Sequence, residues 1–94
     1  MNMGDDGADM NTALMLDGNA VAGRLEHIFG RDMTTAVAKC AGCGSDAEMG
    51  ALMAFTHGPG VVLRCPGCRA VIARFVETTT AIYLDARGAA YVRM

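Results

Sequence analysis

Tryptophan is absent from this 94-residue chain, and three Phe and two Tyr are its only aromatic residues. So sparse an aromatic set limits what a core of this size can be built from. A chain this short buries only about 60 to 65% of its unfolded surface, so a covalent or metal staple is expected. Basic charge is also scarce. Formal net charge is −2, which argues against a counterion-releasing, non-specific nucleic-acid binder with a basic stripe. No apolar run approaches the length needed to span a bilayer. Residues 1–9 carry three Asp and no Lys or Arg, so they lack the basic region that opens a signal peptide. A cytoplasmic protein without membrane contact is the expectation.

What the chain does have is four cysteines in two matched pairs. Cys40-Ala-Gly-Cys43-Gly is answered, 21 residues later, by Cys65-Pro-Gly-Cys68. Two intervening residues let a tight turn aim both sulfurs at one point while backbone N–H groups face the thiolates. Two such turns make a tetrahedral sulfur cage, and Zn²⁺ suits four Cys ligands in a closed structural site. Cys40, Cys43, Cys65 and Cys68 are therefore the expected ligands of one structural Zn²⁺. The gap is one residue beyond the usual motif spacing, and a hairpin within it can absorb that. Gly42, Gly44 and Gly67 fall where such turns call for positive φ or close backbone approach, and Pro66 stiffens the second turn. Two disulfides are a poor alternative, since each would close a tiny loop and nothing in the chain indicates export.

The rest of the chain reads as one domain. Residues 1–13 lack periodicity and are expected to be a disordered acidic tail, leaving 14–94 as a single zinc-ribbon-like domain. Asp17 is placed to cap a helix over 18–29, with Val21, Leu25, Ile28 and Phe29 on one apolar face and Gly30 as the stop. Too short to stand alone, that helix must dock on the sheet. Residues 32–39 read as a strand leading into the first knuckle, and 44–50 as irregular chain. A hairpin of 51–56 and 60–64 turns at His57-Gly58-Pro59-Gly60. After the second knuckle, strands over 70–77, 81–85 and 89–93 read as an antiparallel meander, with Val71, Ala73 and Phe75 on one face and Arg74 near solvent. The fold class predicted is a small α+β domain, an N-terminal helix packed on a zinc-ribbon-like antiparallel β-sheet with a C-terminal β-meander.

Leu16-Asp17-Gly18-Asn19-Ala20, Phe29-Gly30, Met33-Thr34-Thr35-Ala36, Cys40-Ala-Gly-Cys43-Gly and the run Pro59 to Cys68 together resemble a family of small actinobacterial proteins of unknown function, DUF6510. The resemblance covers residues 15 to 93. It implies a zinc-ribbon-like fold and supplies no activity. Members often carry Gly after the last Cys where this chain has Arg69, a departure that bears on turn strain rather than on ligation.

Function classes can be ranked from the same residues. A catalytic zinc keeps an open position, and four thiolates close the shell, so no enzyme is expected. A rubredoxin-like iron site would use similar knuckles, but commonly with a longer gap and more aromatic residues. A thiol–disulfide oxidoreductase would place its Cys-x-x-Cys at the start of a helix. His27 reads as a solvated helix residue, and His57 as a turn residue remote from the metal. Asp46, Glu48, Glu77 and Asp85 read as solvated surface charges, and Met49 and Met53 as filling the core or its margin. The expectation is a non-enzymatic module that binds a protein or a nucleic acid, with a rubredoxin-like or thiol-based redox protein as the alternative. For nucleic acid, Arg64, Arg69 and Arg74 are the residues to test.

Overall fold

Met15–Asp17 forms a strand, β1, at the start of the part of the chain, residues 15–94, that the computed structural model describes. The acidic tail expected over 1–13 lies outside the described residues. The expected N-terminal helix is therefore neither the first element nor continuous. Gly18–Val21 is a 3₁₀ turn, and the α-helix α1 is confined to Ala22–Phe29. Asp17 caps the turn as expected, accepting a hydrogen bond from Ala20 N at 3.1 Å. Val21 leaves helical geometry at φ −110° and ψ 19° before α1 begins. Packing fixes the turn as well. A Cβ on Gly18 would lie 1.8 Å from the carbonyl oxygen of Met49, so the two backbones touch there. Gly30 ends α1 at φ 74°, with its N–H on the Glu26 carbonyl.

The remaining elements are all strands apart from a 3₁₀ turn at Met49–Ala51: β2 Val37–Cys40, β3 Asp46–Glu48, β4 Met53–His57, β5 Gly60–Arg64, β6 Val71–Glu77, β7 Ile82–Asp85 and β8 Ala89–Arg93. All pairings are antiparallel, in a five-stranded sheet ordered β1-β4-β5-β6-β7 and a three-stranded sheet ordered β3-β2-β8. The described chain is thus α+β with one short helix. Strands β4 to β7 fall close to where the sequence puts them. Gly58, at φ 57°, precedes Pro59 in the two-residue β4–β5 loop, the positional pattern of a type II′ hairpin turn.

Four expectations about the strands need correction. The strand over 32–39 shrinks to β2, because Asp32 accepts from Thr34 N at 2.9 Å and Thr34 Oγ1 at 2.7 Å and turns the chain there. The irregular stretch 44–50 contains β3, recruited by pairing with β2. The meander breaks after β7, since β8 leaves the large sheet and pairs with β2 instead. Arg64 of β5 pairs with Val71 of β6 while Leu63 pairs with Ala73, so Ile72 is an extra residue in β6, a β-bulge. The bulge turns Ile72 inward beside Ala73 and Phe75 and leaves Val71 exposed, which reverses the expected faces of both Val71 and Ile72.

One apolar cluster joins helix and both sheets: Leu25 of α1, Leu63 and Phe75 of the large sheet, and Ala38 and Cys40 of the small one. Leu25, Leu63 and Phe75 are 0%, 0% and 1% exposed. At about 1.5–3 kcal/mol for each large side chain so buried, this contact, not helix propensity, holds the eight-residue α1 in place. Met49 belongs to the cluster as expected, and Met53 is half-buried. Arg24 ties α1 to the sheet's far end, donating to the Pro59 carbonyl at 2.6 Å and lying 3.5 Å from Glu77.

Candidate metal centre

Each cysteine pair spans the end of one strand and the turn after it. Cys40 closes β2 and Cys65 follows β5, and both are buried; Cys43 and Cys68 sit on the outer limbs of the turns and are exposed. The two turns repeat each other bond for bond. Gly44 N donates to Cys40 O at 2.9 Å, and Arg69 N to Cys65 O at 2.8 Å. Cys40 N donates to Ser45 O at 2.8 Å, and Cys65 N to Ala70 O at 2.9 Å. Even the residues before the turns correspond, with Lys39 Nζ on the Gly44 carbonyl at 3.0 Å and Arg64 Nη1 on the Arg69 carbonyl at 2.9 Å. Two copies of one motif therefore face each other.

All four Sγ atoms lie within 4.8 Å of one another. Across the motifs, Cys40 and Cys68 are 3.6 Å apart and Cys43 and Cys65 are 3.7 Å apart. A tetrahedral centre with metal–sulfur bonds of about 2.3 Å requires sulfur–sulfur separations of about 3.8 Å. The closest pairs therefore stand near the edge length of such a cage and far from the ~2.05 Å of a disulfide. All four sequence-selected residues converge.

The turns differ in what they offer their outer thiols. Ser45 lies with its hydroxyl 3.1 Å from Cys43 Sγ, and its side chain and backbone N–H hold that thiol down at about 6. Ala70 has no hydroxyl. Its N–H pulls Cys68 down, but the facing thiol of Cys40, desolvation and the two other thiols outweigh it, pushing Cys68 up to about 11. Gly67 N donates to Cys65 Sγ at 3.3 Å. Ser45 is a contributor that the ligand motif does not reveal, because it follows the motif rather than lying in it. The glycine reading holds only in part. Gly44 has φ 78°, whereas a Cβ on Gly42 or Gly67 would meet its nearest neighbour at 3.6 Å, an ordinary contact.

The other candidates lie elsewhere. His57 is exposed at the hairpin, and His27 Nε2 sits 3.3 Å from Glu77 on the helix side. Asp46, Glu77 and Asp85 are ion-paired rather than merely solvated, with Lys39 at 3.7 Å, Arg24 at 3.5 Å and Arg87 at 2.6 Å. Arg64 rests 5.9 Å over the Phe55 ring, and Arg74 lies 3.6 Å from Asp85. Among the described residues, the four cysteines are the one cluster able to hold a metal ion, and no helix there is long and apolar enough to cross a membrane.

A family model described as a family of unknown function, DUF6510, matches residues 9–94. The chain belongs to that family. No curated protein and no solved structure matches it.

Proposed function

We propose that this member of the DUF6510 family is a non-enzymatic binding module, built as a zinc-ribbon-like fold in which Cys40, Cys43, Cys65 and Cys68 hold one structural Zn²⁺. The observation that carries the reading is the pair of turns with matching hydrogen bonds that bring four sulfurs within 4.8 Å of one another. Four thiolates saturate zinc and leave no position for substrate, which favours a structural over a catalytic role. Lys39 and Arg64, each anchored on its own turn, bring positive charge beside a centre that would carry about −2. The partner is a protein or a nucleic acid, and Arg64, Arg69 and Arg74 are the residues through which a nucleic acid would be held.

Iron held by the same four sulfurs is the competing reading, and the exposure of Cys43 and Cys68 favours giving it a test. Elemental analysis and an absorption spectrum separate the two in protein from cells supplied with both metals. One equivalent of zinc without a visible band supports the structural centre, while iron with red colour replaces it by an electron-transfer site. For the partner class, replacing Arg64, Arg69 and Arg74 together with Gln should weaken nucleic-acid binding and flatten its salt dependence. Unchanged affinity would leave a protein as the partner.

A further inference from the structure

Among the described residues, four strands form the edges of the two sheets, and three are blunted in ways that protect an edge. β1 has three residues and ends in Asp17; β3 has three, two of them Asp46 and Glu48; β8 carries Arg93. β7 carries one charge, Asp85 at its end, but the seven residues before it, Thr78 to Leu84, contain no charge, no Gly and no Pro. Ile82, Tyr83 and Leu84 are 43%, 64% and 45% exposed. Register with β6 puts Tyr83 beside Val76 on one face, with Leu84 beside Phe75 and Ile82 beside Glu77 on the other. An open hollow of about 550 Å³ lies over the β6–β7 pair, lined by Arg74 to Val76 and Ile82 to Asp85. A free row of backbone donors and acceptors flanked by apolar side chains is a template for another strand.

We propose that β7 pairs antiparallel with β7 of a second copy of this chain, about a twofold axis at Tyr83, joining two large sheets into one. A second copy is the occupant because the strand is complementary to its own reverse. With Tyr83 on the axis, Ile82 faces Leu84 of the partner subunit, and Asp85 faces Ala81 of the partner subunit. No two like charges meet. The only ionised group on the strand arrives already compensated, since Asp85 is held by Arg87 at 2.6 Å and Arg74 at 3.6 Å. The contact is small. So short a strand pairing covers less than the ~800 Å² per partner of a standard interface, so the dimer is weak and reversible. It does not depend on which metal the cysteines hold.

Sedimentation of the full, metal-loaded chain over a concentration series tests this. The average mass should rise from 9.8 kDa toward twice that value as concentration approaches about 1 mM. Tyr83→Lys, at an exposed site, sets two positive charges against each other on the axis and should raise the dissociation constant at least ~10-fold. Tyr91→Lys, on β8 and 46% exposed, should leave it unchanged. Hydrogen exchange on the unaltered chain supplies a readout free of any folding defect, with β7 amides gaining protection as concentration rises. A chain that stays monomeric at the highest concentration, a Tyr83→Lys variant that dimerises as well as the parent, or β7 amides indifferent to concentration would each overturn the proposal.

Discussion

Gly44 and Arg69 occupy the same station in the two cysteine turns, with φ of 78° and 67°, and each donates its N–H to the carbonyl of the first cysteine of its turn. Arg69 is the only non-glycine residue with positive φ among those described. The cost of that conformation for an L-residue with a Cβ is about 1–2 kcal/mol.

Arg69→Gly should therefore stabilise the protein, by about 0.5–1 kcal/mol once the greater freedom of glycine in the unfolded chain is subtracted. Gly44→Ala should destabilise it by about 1 kcal/mol. Thermal melts of the metal-loaded proteins check both, and a loss of stability in Arg69→Gly would show that the side chain contributes more than its backbone costs.

Two other glycines should respond in opposite senses to alanine. At Gly88 a Cβ would lie 1.7 Å from the carbonyl oxygen of Val71, a backbone atom that cannot swing away. Gly88→Ala should cost about 2–4 kcal/mol or prevent β8 from reaching β2. Gly23, inside α1, has nothing within 4 Å of the same position. Gly23→Ala should add about 0.5–1 kcal/mol through helix propensity alone. Denaturant unfolding of the pair is the measurement.

Removal of metal should have an effect out of proportion to the size of the centre. Cys40 and Cys65 belong to the hydrophobic cluster, and each turn fixes the strand that enters it. Structural zinc in zinc-finger peptides contributes an apparent ~10–16 kcal/mol, comparable with the whole stability of a small domain, and the proposed zinc should act on the same scale. A strong chelator should abolish the cooperative melt, and Cys40→Ser or Cys65→Ser should do the same. A chelated protein that still melted cooperatively at the original temperature would separate fold from metal.

Arg24 should act as a clamp on α1. It reaches the Pro59 carbonyl, pairs with Glu77 and lies 5.7 Å over the Phe75 ring. Arg24→Ala should cost about 1–2 kcal/mol, and Arg24→Lys should recover only part, because a lysine makes no forked contact. Unfolding midpoints across the three proteins decide it.

The Asp85 carboxyl should titrate far below its usual range. Hydrogen bonds from the Arg87 side chain and backbone N–H, reinforced by the charge of Arg74, favour its ionised form over the ordinary value of 3.8. A depressed folded value gives a contribution that is complete above the unfolded value near 4 and lost as pH falls toward the folded one. A carbon-detected carboxyl titration should show no Asp85 inflection near pH 4, and Asp85→Asn should flatten stability on that acid side only.

The sequence by itself determined the cysteine cluster and most of the strands. Cys-x-x-Cys turns are local objects, closed by hydrogen bonds spanning four or five residues, so their spacing announces them. The strands from β4 to β7 are joined by short turns whose residues, such as Gly58-Pro59, dictate reversal. Only the tertiary structure decided the rest. β3 has no strand signal in Asp46-Ala47-Glu48 and exists because β2 offers it an edge. β1 looks like a helix approach until β4 pairs with it. The choice of β8 to join β2 rather than extend the meander turns on Gly88, where absence of a side chain lets one backbone pass against another. Contacts of that kind join residues far apart in the chain, and no local pattern of residue types encodes which distant edge will be free to receive them.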